Sequence, residues 1–250
     1  MDKFEVNIGY WDILLLVAVS LQATALSYLH HPKWKALIWT FPVPFTLASL
    51  AVGKPIGTTN IMGISFLLIY THSIRLMYQR LRAPITAAIA IAAVGYCAAG
   101  WALAGILPDT DAAFWTASIG IFALGLALYL MTPHRVEPGH RSPLPVWIKL
   151  PVIAGVILIL VVIKKQLQGF MTFFPMVGVV AAYEARKSLW TMGRQVPVII
   201  MTIVPLLATC RLTQDKFGLG GALFFGWIVF ALVLIPFTKK MWSEAEEDDA

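Results

Sequence analysis

The chain is predicted to be an all-α, polytopic transmembrane helix bundle of about nine spans, two inverted four-helix repeats joined by a connecting helix. Three observations predict it. The 250 residues are 59% hydrophobic and only 13% charged, with a mean hydropathy of +0.77, whereas soluble domains carry about 25% charged residues. Long apolar runs recur along the whole length. An aromatic-Pro pair, followed by a small-residue run, a second apolar run and a lone Arg, occurs once in each half, from Thr40 to Arg75 and from Thr172 to Arg211.

A membrane-crossing helix needs roughly 20 apolar residues. Windows of that size fall at Ile8–Tyr28, Ala36–Val52, Thr58–Ile74, Ala83–Leu107, Ala113–Met131, Val146–Ile163, Gly169–Tyr183, Val196–Cys210 and Phe217–Phe237. The first run resembles a secretory signal near Gln22–Leu26. It lacks the basic leader such signals carry, since Asp2 and Glu5 outweigh Lys3, and it reads as a retained span. The Pro- and Gly-bearing stretch from Thr132 to Pro145 reads as a linker. The divisions are therefore 1–107 (first repeat), 108–145 (connecting span and cytoplasmic linker), 146–238 (second repeat) and 239–250 (acidic tail). An odd number of spans between two copies inverts one relative to the other, an architecture common among secondary transporters.

Orientation follows the Lys/Arg bias of the loops. With the N-terminus outside, thirteen of the 19 basic residues fall inside: Lys33, Lys35, Arg75, Arg80, Arg82, Arg135, Arg141, Lys149, Arg186, Lys187, Arg194, Lys239 and Lys240. Lys3, Lys54, Lys164, Lys165, Arg211 and Lys216 fall outside, and the acidic C-terminal tail falls inside. The net charge of +6 is thus spread over short loops and forms no basic stripe, so no nucleic-acid partner is expected.

Pro42, Pro44 and Pro175 lack an N–H and would free backbone carbonyls inside their spans. In hydrocarbon such carbonyls must find partners or line a wet cavity, and short Pro-interrupted segments at matching positions in two halves point to a binding site. Candidate substrate-binding residues around the breaks are Trp39, Thr40, Phe41 and Pro42, with Thr172, Phe174 and Pro175 opposite them. Each Thr also has a plainer role, bonding its own helix backbone. His72, Arg75 and Arg211 are ionisable groups near span ends. For the two Arg the alternatives are snorkelling to the interface or pairing with an anionic substrate or an acidic partner. His72 either bonds locally or couples a proton.

FPVPFTLASLAVG (Phe41–Gly53) resembles the core signature of the GlpM-like family of small bacterial inner-membrane proteins, a Phe-Pro pair followed by a small-apolar run ending in Val-Gly. FPMVGVVAAYEARKSLWTMG (Phe174–Gly193) looks similar, with a longer insertion before its last Gly. Family members are about half as long, so the resemblance implies a fused pair in a bacterial inner membrane. It supplies no reaction and no substrate.

No HExxH, paired CxxC or P-loop is present. His30 and His31 are adjacent and diverge on a helix, and Cys97 and Cys210 sit within apolar runs, so neither a metal nor a cofactor nor an enzyme activity is expected. Secondary transport of a small solute or lipid-linked molecule is the leading function. A catalytically silent membrane subunit docking a partner through its inner loops is the alternative, and a lipid-processing enzyme ranks below both. Expected partners are membrane lipids and the substrate; small residues in Ala87–Gly105 and Gly218–Gly226 leave open a homodimer.

Overall fold

The computed structural model describes residues 8–133, 135, 137, 138, 140 and 145–247. Lys3, Arg141, the Lys240 side chain and Asp248–Ala250 of the tail lie outside the described residues. All described regular structure is helical: α1 Tyr10–Tyr28, α2 Pro32–Thr40, α3 Val43–Val52, α4 Thr58–Gln79, α5 Ile85–Ala104, α6 Asp111–Met131, α7 Val146–Val162, α8 Lys164–Leu167, a 3-10 segment Gln168–Phe173, α9 Met176–Glu184 and α10 Leu189–Glu247. Six stretches are long and apolar enough to cross a membrane: Tyr10–Tyr28, Lys33–Val52, Thr58–Gln79, Ile85–Ala104, Asp111–Met131 and Leu189–Lys239.

Local chemistry sets the ends of these helices. The Asp12 carboxylate accepts the Gly9 N–H at 2.8 Å, one of the four donors a helix N-terminus leaves open. Asn60 does the same for Gly57 at 2.9 Å, and the Thr110 hydroxyl caps Ala113. Gly53 closes α3 in the left-handed region, φ 68°, which a side chain disfavours.

The longest helix is two. Gly218 has φ 66° and ψ 175°, a conformation reserved almost wholly for glycine. Cys210 Sγ contacts the Ala222 carbonyl at 3.4 Å, and a Cβ on Gly226 would sit 3.0 Å from Leu206. Residues 206 and 226 would be about 30 Å apart on a straight helix. The chain therefore reverses at Gly218, and arms 189–217 and 219–247 pack against each other. The sequence had ended the first of these runs at Cys210. The helix instead continues to the glycine, because Arg211 and Gln214 both find partners on its last turns.

Contacts sort the helix ends into two sets. Gly9, Lys54, Lys164 and Gln168 border one vestibule, next to the Ile56–Gln214 and Arg211–Asp111 bonds. Lys35, Lys149, Glu184, Trp190 and Glu137 gather at the other end. Within the bundle, α4 packs on α5, α6, the 3-10 segment and α10, while α1 packs on α3, α7 and α9. Phe173 stacks on Phe45 at 4.9 Å and Phe170 on Phe66 at 5.0 Å, so the 3-10 segment is wedged between α3 and α4.

The outer surface is apolar. Ile91, Val94, Trp101, Ile119, Leu130 and Leu212 are each at least 60% exposed. A face of this kind is expensive in water and suits hydrocarbon.

Candidate functional site

Both predicted helix breaks are present, but as breaks between short helices and not as kinks within continuous ones. Phe41 and Pro42 separate α2 from α3, with Pro42 as the residue before the first turn of α3. Phe174 and Pro175 separate the 3-10 segment from α9 in the same manner. Proline is tolerated at a helix start, where its missing N–H would have had no partner. Pro44 likewise sits in the first turn of α3 and disrupts nothing.

The two breaks face one cavity of about 60 Å³. Trp39, Thr40, Phe41, Pro42, Thr172, Phe174 and Pro175 all line it. Its remaining walls are mostly apolar, including Phe45, Leu67, Met176 and Ile203. The short helices cross as pairs: α2 lies on α9 and α3 on the 3-10 segment. Gly178 of α9 faces this crossing, where a Cβ would touch Trp39 of α2 at 3.4 Å and crowd Pro175 of its own segment at 2.7 Å.

The polar groups at the breaks are held by side chains that sequence reasoning did not single out. Gln22 of α1 donates its amide to the Ile38 carbonyl at 2.8 Å and to the Phe41 carbonyl at 3.2 Å, so the acceptors near the first break are served from a neighbouring helix. Tyr96 of α5 donates to the Phe170 carbonyl at 2.9 Å, next to the second.

Each of the two threonines accepts from an amide on another helix. Gln195 of α10 donates to Thr40 Oγ1 at 2.6 Å, while Asn60 of α4 donates to Thr172 Oγ1 at 3.1 Å. Each Thr also donates to its own segment, Thr40 to the Ala36 carbonyl and Thr172 to the Gly169 carbonyl. The self-bonding role and the site-lining position therefore coexist. The signal that could have found Gln22, Asn60 and Gln195 is that each is an amide beside or within an apolar run, where it must be bonded.

The three ionisable candidates lie apart from this cavity. His72 Nδ1 is 3.0 Å from the Leu68 carbonyl one turn back, the local arrangement. Arg75 lies 4.7 Å from the centre of the Trp190 ring, which also carries Arg135 at 3.9 Å. Arg211 donates to Asp111 from Nε and Nη2, at 3.1 and 2.9 Å, and to the Ile56 carbonyl at 3.0 Å. It thereby ties α10 to α6 and to the loop before α4, in the acidic-partner alternative. Arg75 and Arg211 sit at opposite ends of the bundle, one beside Trp190 and the other beside Asp111.

Two buried ion pairs flank the breaks. Lys164 of α8 pairs with Asp12 of α1 at one end, with their side chains 15% and 2% exposed. Lys149 of α7 pairs with Glu184 of α9 at the other, at 2.8 Å, with side chains 6% and 0% exposed. Lys35 of α2 joins the second pair by donating to the Glu184 carbonyl at 3.2 Å. Among the described residues no group of three or more His, Cys, Asp or Glu could hold a metal ion.

Apolar helices of spanning length and an apolar outer face are the features of an integral membrane protein. No family model, curated protein or solved structure matches it.

Proposed function

We propose that the protein is a secondary transporter of a bacterial inner membrane, moving a small solute or lipid-linked molecule through a site between two inverted repeats. In this reading the chain crosses nine times, with α1, α2–α3, α4 and α5 as one copy, α6 as the connecting helix, and α7, α8–α9 and the two arms of α10 as the other. The N-terminus is outside and the C-terminus cytoplasmic. Each copy is a GlpM-like unit, carrying its own Phe-Pro break.

One observation carries the proposal: two Pro-broken segments share a cavity, and each copy's amide bonds the other copy's threonine. Asn60 and Gln195 belong to the spans that follow the breaks in their respective copies. Along each half the order is the same: Thr, Phe-Pro, a spanning run, Arg. Broken helices with irregular backbone at membrane depth occur where they line a cavity or are buried in protein, and transporters place their sites there. The ion pairs Asp12–Lys164 and Lys149–Glu184 would then clamp the broken segment α8–α9 at its two ends, as gates on either side of the site.

The size of the cavity favours a second reading. About 60 Å³ is far below the roughly 300–1,000 Å³ of a small-molecule pocket. A transporter closed on both sides has such a cavity, and so does a membrane subunit that carries nothing.

Accessibility separates the two. With Cys97 and Cys210 replaced by Ala, Thr172→Cys in a transporter is expected to react with a membrane-impermeant thiol reagent from either side of the membrane. Reaction from neither side would remove the transport reading and leave the subunit.

A further inference from the structure

We propose that the vestibule formed by α1, the α3–α4 loop and α8 is a binding site for a phosphate-type oxyanion. The vestibule measures about 590 Å³ and is bordered by Gly9, Trp11, Asp12, Lys54, Lys164, Lys165 and Gln168, among others. Its volume lies within the range of small-molecule sites, unlike that of the central cavity. The inference concerns binding alone and stands whether or not the protein transports.

Charge selects the ligand. Among the described residues, three ammonium groups border the vestibule from two separate elements, against a single carboxylate. That carboxylate, Asp12, is 3% exposed and already committed to the Gly9 N–H and to Lys164. It therefore neutralises one lysine and fixes its position. Lys54 and Lys165 are exposed, and no described carboxylate lies within ion-pair distance of either. Two ammonium groups that no described carboxylate pairs with, and a third held at the wall, favour a compact anion of more than one charge, and lysine serves phosphate as a point charge.

Backbone conformation gives a second, independent sign. Gln168 borders the vestibule with φ 49° and ψ −130°, one of two described non-glycine residues at positive φ. Strain of this kind concentrates at ligand sites, where surrounding structure enforces it. The residue is also the hinge where α8 turns into the 3-10 segment that carries Thr172 to the central cavity.

The oxyanion could be free in solution or part of a lipid headgroup. The test uses the full chain in detergent and in lipid nanodiscs, with the double variant Lys54→Gln/Lys165→Gln, which leaves the Asp12–Lys164 pair untouched. Inorganic phosphate is titrated against the detergent-solubilised protein by calorimetry. Retention of phosphatidylglycerol against phosphatidylcholine is read by native mass spectrometry from mixed nanodiscs. Phosphate binding by the parent that weakens about tenfold or more in the variant supports a free oxyanion. Selective retention of phosphatidylglycerol, lost in the variant without any phosphate response, supports a headgroup. The unliganded melting temperature should match in both proteins. Absence of both responses in the parent, or full retention of either by the variant, overturns the proposal.

Discussion

Replacing Lys149 by Ala is expected to cost about 3–5 kcal/mol of folding stability, because it removes one partner of a buried ion pair. Glu184 is fully buried and its ion pair with Lys149 measures 2.8 Å. Removing the cation takes away a partner that offsets the negative charge in a poorly solvating medium, where the Lys35 ammonium is held on the Glu184 and His140 backbone carbonyls. The double substitution Lys149→Met/Glu184→Leu removes both charges and should recover most of the loss, since well-packed apolar residues often replace a buried pair without penalty. Chemical denaturation of the detergent-solubilised protein measures both. A single variant as stable as the parent would show that the pair does not hold α7 to α9.

The second large effect is expected at Gly169. A Cβ there would lie 2.2 Å from Thr59 Oγ1 and 2.8 Å from the Asn60 backbone nitrogen. The hydroxyl can rotate away, but the backbone at the start of α4 cannot move without disturbing the Asn60 amide, which both caps α4 and bonds Thr172. Gly169→Ala should therefore destabilise by about 1–3 kcal/mol through overpacking. Gly155→Ala, at a site with nothing within 4 Å, is the matched control and should be neutral or slightly stabilising. Thermal melts of the two variants distinguish them, and equal melting temperatures would contradict the close approach of the 3-10 segment to α4.

These effects lie at places that differ in how far the sequence reveals them. The breaks at Pro42 and Pro175 are legible because a missing N–H acts locally, whatever the rest of the chain does. The class of protein is legible because hydrophobic composition is additive. Seven of the ten site candidates meet at one cavity for the same reason: they were chosen as neighbours of the two breaks, and the breaks meet.

Partners across the bundle were not legible. Gln22, Asn60, Tyr96 and Gln195 stand out as polar residues near or within apolar runs, but their partners lie on other segments, and only the fold brings α1 to the first break or α10 to Thr40. Arg211 illustrates the same limit. Its two alternatives differ only in whether a carboxylate is near, and Asp111 comes near because α6 packs on α10. His72 and Arg75 carried functional promise as lone ionisable groups, yet a carbonyl on the same helix and an indole ring from α10 already engage them.

In the proposed transporter the two Pro-broken segments meet at the membrane midplane in inverted orientation. An electron cryo-microscopy structure in a lipid nanodisc tests it most directly, since lipid density fixes the bilayer planes. Pro42 and Pro175 are expected within the central third of a hydrocarbon core about 30 Å thick, related by a two-fold axis lying in the membrane plane. Breaks at different depths, or on faces of the bundle turned toward lipid, would contradict it.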